Sequence, residues 1–248
     1  MPASDPRVLI LGGTAEASRL AAALQARSVD VVTSLAGRTA NPAPVAGSVR
    51  VGGFGGVEGL SACLTAGQFG LIIDATHPYA TRISRNAIEA AKVADIPLLR
   101  LERPAWQRQP GDHWIDVANE TEAAAMIPRG ERVFLALGRQ HIAPFAECAD
   151  AHFTLRMIDP PEVTLPAHCE IVLARPESRE LEKRFLADRK IGLIVCRNSG
   201  GSISYGKIEA ARDLFIPVLM IARPPVLAET VVATVEEAME FARSTLCF

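Results

Sequence analysis

Short apolar runs alternate with alanine-rich stretches whose apolar positions recur every three to four residues, from one end of this chain to the other. No other feature constrains the fold as tightly. A strand buried on both faces reads as an unbroken apolar run, and strands that alternate with helices pair in parallel through helical crossovers. The expected class is therefore α/β, with doubly wound parallel sheets. Strands are expected near 7–11, 30–35, 49–51, 71–74 and 98–101, and helices near 15–27, 57–66 and 79–94. A second series has strands near 132–136, 152–155, 170–173, 193–196 and 218–221, with helices near 120–126, 177–187, 203–214 and 229–243. Between the two series ERPAWQRQPGDHW has two prolines, a glycine, two tryptophans and no periodicity, as a linker would. The boundary falls there, giving expected domains 1–103 and 104–248.

Composition narrows the function classes. With 248 residues and 49% hydrophobic side chains the chain can bury a substantial core. Its 26 basic and 28 acidic side chains leave a formal charge of -2, so no global field favours nucleic acid or an anionic membrane. An anionic ligand must be met locally. Cys63, Cys148, Cys169, Cys196 and Cys247 are odd in number and show no CxxC spacing, against a disulfide framework or a zinc knuckle, and no metal is expected. The opening MPASDPRVLILGG has neither a basic leader nor a long apolar segment, which makes the cytoplasm the expected compartment.

The run LILGGTAEASRLAAAL places Gly12, Gly13 and Thr14 between a buried strand and a helix, where backbone amides and the helix dipole can hold a phosphate. GGTAEA is not GxGxxG, and a tight turn alone also uses glycine there. The second strand, VVTSLAGRT, ends in Ser34 and is followed by Arg38 and Thr39. An acid at that end would select NAD by its ribose hydroxyl, whereas hydroxyls and a guanidinium accept the 2′-phosphate of NADP. A solvated loop arginine is the alternative. VGGFGGVEG adds the glycines 52, 53, 55 and 56. LIIDATHPYATRISRNA ends an apolar run at Asp74, so residues 75–78 lie at the carboxyl end of a parallel strand, where such sheets bind ligands. Thr76 or His77 could instead cap the following helix, with Pro78 in its first turn. In that helix Ile83, Ala87, Ala90, Ala91 and Ala94 share one face, opposite Arg85, Glu89 and Lys92.

Two enzyme classes can be tested by spacing. GSISYGK, residues 201–207, has the glycines and lysine of a P-loop after an apolar strand, but Ile208 stands where the Mg²⁺-binding hydroxyl belongs. A phosphate- or nucleotide-binding enzyme stays open as an alternative. A tyrosine-dependent short-chain dehydrogenase needs lysine four residues after its tyrosine. Tyr79 and Tyr205 are followed there by Ile83 and Glu209, which excludes it.

Eight motifs in order carry a resemblance over nearly the whole chain: GGTAEA at 12–17, SLAGRT at 34–39, VGGFGG at 51–56, DATHPYA at 74–80, LERPAW at 101–106, GRQ at 138–140, RNSGG at 197–201 and RPP at 223–225. Together they resemble the precorrin-6A reductase family of cobalamin biosynthesis. The chain departs from that family's more usual phenylalanine at Tyr79 and lysine at Arg197. The resemblance implies NADPH-dependent reduction of a ring double bond in precorrin-6A, or its cobalt-bearing equivalent, to give precorrin-6B. It also implies two Rossmann-like domains that exchange a strand, with the macrocycle in the cleft between them.

On that resemblance the cofactor would be held by Gly12, Gly13, Thr14, Glu16, Ser34, Ala36, Gly37, Arg38, Thr39, Gly53, Ala75 and Thr76. A macrocycle fringed with carboxylates calls for cations and polar amides. The candidates are Arg103, Trp106, Arg139, Gln140, Arg197, Asn198, Ser199, Gly200, Gly201, Lys207 and Arg223. His77, Tyr79 or water would supply the proton that accompanies the hydride. A non-catalytic NADP-binding sensor is a third class, separable by binding without turnover. The expected oligomeric state is a monomer or weak oligomer.

Overall fold

The computed structural model describes residues 7–37, 44–160 and 164–248. The chain divides into two compact units, Met1–Pro104 with Pro224–Phe248, and Ala105–Arg223. The first contains β1 (Arg7–Leu11), α1 (Ala15–Gln25), β2 (Asp30–Leu35), β3 (Ser48–Val51), α2 (Val57–Ala66), β4 (Leu71–Asp74), α3 (Thr81–Ala94) and β5 (Leu98–Leu101). The second contains β6 (Trp114–Val117), α4 (Glu120–Ala125), β7 (Arg132–Ala136), β8 (His152–Met157), β9 (Cys169–Leu173), α5 (Arg179–Asp188), β10 (Leu193–Arg197), α6 (Gly206–Asp213) and β11 (Val218–Ile221). The last strand and helix, β12 (Val231–Val232) and α7 (Val235–Leu246), return to the first unit.

Both sheets are parallel and six-stranded, ordered β3-β2-β1-β4-β5-β12 and β9-β8-β7-β10-β11-β6. Each is the doubly wound 3-2-1-4-5-6 order, so α/β with two Rossmann-like sheets is what the chain forms. The sixth place is filled crosswise. β6 follows β5 in sequence but pairs with β11, while β12 follows β11 but pairs with β5. The strand exchange is therefore present. The expected second domain of 104–248 differs from the observed unit at both ends: Pro104 and residues 224–248 belong to the first unit.

The packing follows from side-chain periodicity. In α1 the residues Ala17, Leu20, Ala21 and Leu24 are buried, at the i, i+3, i+4 and i+7 spacing of one helical face. They pack with β1, β2, β4 and β5 and with Ala238 and Ala242 of α7 into one core. On the opposite face Leu60 and Leu64 of α2 and Ala87, Ala90 and Ala91 of α3 form another, with Ile83 and Ala94 partly buried against it. α7 opens with a capping box in which Thr234 accepts from the Glu237 N–H and the Glu237 carboxylate accepts from the Thr234 N–H. The second unit's core gathers Trp106, Trp114, Phe134, Ile194, Ile208 and Met220.

α7 supplies a face of the first unit's core, so deleting residues 231–248 should expose that face even though every other strand of the sheet is present. In hydrogen–deuterium exchange on the truncated chain, amides of β1, β4 and β5 should lose protection while those of β7 and β10 keep theirs.

Candidate functional site

At the carboxyl end of the first sheet, β1 and β4 are neighbours whose following helices pack on opposite faces, the switch point at which such sheets bind ligands. Gly12 donates its N–H to the Ser34 carbonyl at 2.9 Å, and a Cβ added to it would meet the Thr33 methyl at 2.7 Å. Gly13 has φ of +107° and nothing within 4 Å of where a Cβ would stand, so the turn opens toward a ligand. Thr14 caps α1, its Oγ1 accepting from the Ala17 N–H at 3.1 Å and donating to the Ala75 carbonyl at 2.7 Å. That hydroxyl ties the β1 turn to the β4 turn. The first N–H groups of α1 have no acceptor within the helix, as at any helix start. These residues fit the pyrophosphate of a dinucleotide.

Around the end of β2, Ser34 is buried and Ala36 and Gly37 are exposed. Arg38 and Thr39 lie outside the described residues. Arg50 of β3 places Nη1 3.5 Å from Ser34 Oγ and donates to the carbonyls of Gly52 at 2.6 Å and Gly53 at 2.8 Å. Its guanidinium also lies 3.9 Å over the Phe54 ring. A second guanidinium therefore stands where the 2′-phosphate reading puts one. Glu16 pairs with Arg103 at 2.8 Å and Arg19 at 3.3 Å. Arg103, expected among the substrate cations, thus stands beside the start of α1 in the first unit.

After β4 the chain does not enter the helix at Tyr79. Ala80 donates its N–H to the His77 carbonyl at 2.8 Å, closing a turn, and α3 begins at Thr81 with no side-chain cap. The expected capping by Thr76 or His77 is corrected. Thr76 turns to Asp74 instead, donating from its N–H at 3.1 Å and its hydroxyl at 2.7 Å to Asp74 Oδ1. Asp74 pairs with Arg100 at 2.8 Å, and Arg100 pairs with Glu102 at 2.7 Å. All four residues are buried or nearly so, and Arg100 also donates to Thr76 Oγ1 at 3.2 Å. With its hydroxyl and its N–H committed there, Thr76 has its carbonyl to offer a cofactor. His77 and Tyr79 stack tilted, ring centres 5.6 Å apart, and His77 Nδ1 accepts from the Tyr79 N–H at 3.4 Å. A cleft beside this turn is lined by Pro78, Thr81, Ser84, Arg85, Arg100 and Val226.

In the second unit Arg197, at the end of β10, pairs with Glu120 at the start of α4. His141 donates from Nδ1 to the same carboxylate oxygen at 3.2 Å. The hydrogen bond from His141, more than the Arg197 guanidinium, holds the Glu120 carboxyl down from 4.5 to about 2 against the opposing effect of burial. Asn198 clasps the Trp106 main chain, accepting from its N–H at 2.7 Å and donating to its carbonyl at 3.0 Å. The Trp106 indole donates to the Gly201 carbonyl at 2.7 Å, and Arg223 Nε donates to the Asn198 carbonyl at 2.7 Å. Gly200 and Gly201 have φ of +67° and +69°, a left-handed pair that other residues adopt at a cost. Ser199 folds back on the Arg197 carbonyl. Arg139 and Gln140 stand on a 3₁₀ turn, half-buried and exposed respectively.

Lys207 differs from expectation. It is 5% exposed, its ammonium donates to the Ser204 carbonyl at 2.6 Å and lies 4.7 Å from the Trp106 ring centre, and burial lowers its pKa. Its charge serves the interior rather than a ligand's carboxylate, which also removes the P-loop reading of GSISYGK. Among the described residues no group of three or more metal-ligating side chains is present, and no helix is long and apolar enough to cross a membrane.

The model of the family described as precorrin-6x reductase CbiJ/CobK matches residues 7–243. The chain belongs to this family. It is 47% identical to the precorrin-6A reductase of Rhodococcus erythropolis, over 88% of this chain and 90% of that one. It is 44% identical to that of a Sinorhizobium species, over 94% and 91%. The solved structure titled CobK precorrin-6A reductase superposes with a TM-score of 0.92 at 40% identity, covering 97% of both chains. A cobalt-precorrin-6A reductase of Priestia megaterium is 29% identical over 94% of this chain and 96% of that one.

In this reductase family member, sequence reasoning missed Arg50, Arg100, Glu102, Glu120 and His141. Signals for two of them existed: Glu102 lies inside the quoted LERPAW, and His141 directly follows GRQ. A carboxyl whose pKa is lowered on folding stabilises the fold above its unfolded value, and that contribution disappears as pH falls through the folded one. Glu120→Gln should therefore lower the second unit's stability at pH 7 by roughly 2 kcal/mol. Chemical denaturation followed from pH 7 to pH 2 should show the difference from the native chain vanish between about 4.5 and 2.

Proposed function

We propose that this chain reduces precorrin-6A to precorrin-6B with NADPH. The observation that carries the cofactor choice is the end of β2, where Ser34 stands in place of an acid and the Arg50 guanidinium lies beside it. Bound NADPH would supply the hydride. Gly12, Gly13, Thr14 and Glu16 are the residues proposed to surround its pyrophosphate. Ser34, Ala36, Gly37, Arg38, Thr39, Arg50 and Gly53 would take the adenosine end, and the turn at Ala75 and Thr76, with the Thr76 carbonyl, the nicotinamide end. His77 and Tyr79, at the turn after β4, would position the ring or deliver the proton.

Substrate recognition is proposed for the second unit. Its sheet has the same strand order, but the turn after β7 reads Leu137-Gly138-Arg139 where the first unit has Gly12-Gly13-Thr14. Arg156 occupies the register position of Ser34 and is used up in a buried pair with Glu182 at 2.8 Å. A dinucleotide is poorly served there. Arg139, Gln140, Arg197, Asn198, Ser199, Gly200, Gly201 and Arg223 are the groups proposed to meet the macrocycle's carboxylates, with Trp106 fixing the RNSGG turn. The metal-free substrate is favoured because the relatives named for it share 42–47% identity with this chain and those named for the cobalt form 26–29%.

Incubation of purified protein with NADPH and precorrin-6A should consume NADPH absorbance and change the visible spectrum of the tetrapyrrole. No change with authentic substrate would sink the proposal. Arg50→Met should cut the NADPH-over-NADH ratio of kcat/KM by about tenfold or more, with the NADH value nearly constant. An unchanged ratio would remove Arg50 from the 2′-phosphate site.

A further inference from the structure

The two sheets correspond strand for strand, so each serves as a control for the other. Leu11 pairs with Asp74 as Ala136 pairs with Cys196, and Asp74 pairs with Arg100 as Cys196 pairs with Met220. Leu101 pairs with Val232 as Ile221 pairs with Val117. The position of Asp74 is thus that of Cys196, the position of Arg100 that of Met220, and the position of Glu102 that of Ala222. Where the first unit buries three charges, the second has a thiol 3.8 Å from a thioether, and an alanine.

The same architecture therefore stands without those charges. The Asp74 and Arg100 side chains are 3% and 4% exposed, and taking them out of water costs several kcal/mol per ion before their attraction offsets it. Fold stability is a poor reason to keep them. What the cluster adds is control of one turn: Asp74 Oδ1 receives the Thr76 N–H, the Thr76 hydroxyl and Arg100, while Arg100 reaches both the Thr76 hydroxyl and, at 3.4 Å, the Asp74 carbonyl. In the second unit the residue matching Thr76 is Asn198, and the Trp106 main chain holds it instead. At the register positions of Asp74, Arg100 and Glu102 the second unit carries no charge.

We infer that Asp74, Arg100 and Glu102 are positioning residues for the cofactor site, fixing the turn after β4 so that its surface and the Thr76 carbonyl meet the dinucleotide without rearrangement. This rests on the reading of the first unit as the NADPH site. Removing one partner would strand a buried charge, so the test replaces all three together with what the second unit carries: Asp74→Cys, Arg100→Met, Glu102→Ala in the full chain. The triple variant should melt at or above the native temperature. Its NADPH dissociation constant, titrated without substrate, should rise by on the order of tenfold to a hundredfold. Native affinity in the folded triple variant overturns the inference, as does failure of that variant to fold. Thr76→Val, which removes the hydroxyl and no charge, should weaken NADPH binding in the same direction, while Thr76→Ser should bind as the native chain does. Equal binding by both also overturns it. If the native chain itself binds no NADPH, the cofactor reading fails first and is identified as the failure.

Discussion

A parallel strand cannot be delivered by a hairpin; its chain must cross over the sheet and enter from the same end as its neighbour. Everything in this molecule follows from how that requirement is met at the sixth position of each sheet. β5 and β11 each leave at the carboxyl edge through an Arg-Pro pair, Arg103-Pro104 and Arg223-Pro224, and neither continues into a crossover of its own sheet. β6 and β12 are laid down on the other unit, followed by α4 and α7. The exchange is small in strand length, two residues at β12, but it carries a core-forming helix with it.

Because the two sheets share order and register, their differences are informative. The first has a glycine turn after its central strand, a serine at the end of the next, and a buried ion cluster behind the β4 turn. The second fills the same positions with Leu137, Arg156, Cys196 and Met220. The same strand order thus carries different residues at matching positions, a glycine turn and an ion cluster in one unit and Leu137, Cys196 and Met220 in the other. Trp106 belongs to the second unit's fabric, since its indole and its main chain both hold the RNSGG turn while Lys207 lies over its ring.

The alternation of apolar runs with amphipathic stretches was enough to read ten of the strands: eight are buried and their own residues say so, while the exposed edge strands β3 and β9 were legible from the valines, isoleucine and leucine they carry. β6 and β12 were not legible. Trp114–Val117 alternates buried ends with exposed middle residues at a sheet edge, and Val231–Val232 is held by the β5 ladder rather than by any pattern of its own. The glycine and DATHPYA turns were readable as ligand-binding positions, since their place after a strand implies it. Which side chains act there was less so. The Asp74–Arg100 pair spans 26 residues of sequence and depends on the β4–β5 register, as the closeness of Arg50 to Ser34 depends on the β2–β3 register. Register is a property of paired strands, so a single strand's sequence cannot carry it.

The chain crossings also fix an order of events during synthesis. Ala105–Arg223 is one continuous stretch and holds every strand of its sheet, so it can close while the chain is still being extended. The other unit, although begun first, has its β5 edge and one face of its helical layer uncovered until residues 224–248 have been made. The unit begun first is therefore completed after the other, and a stop codon ahead of residue 231 would strip β12 and α7 from the unit whose first strand was made more than two hundred residues before.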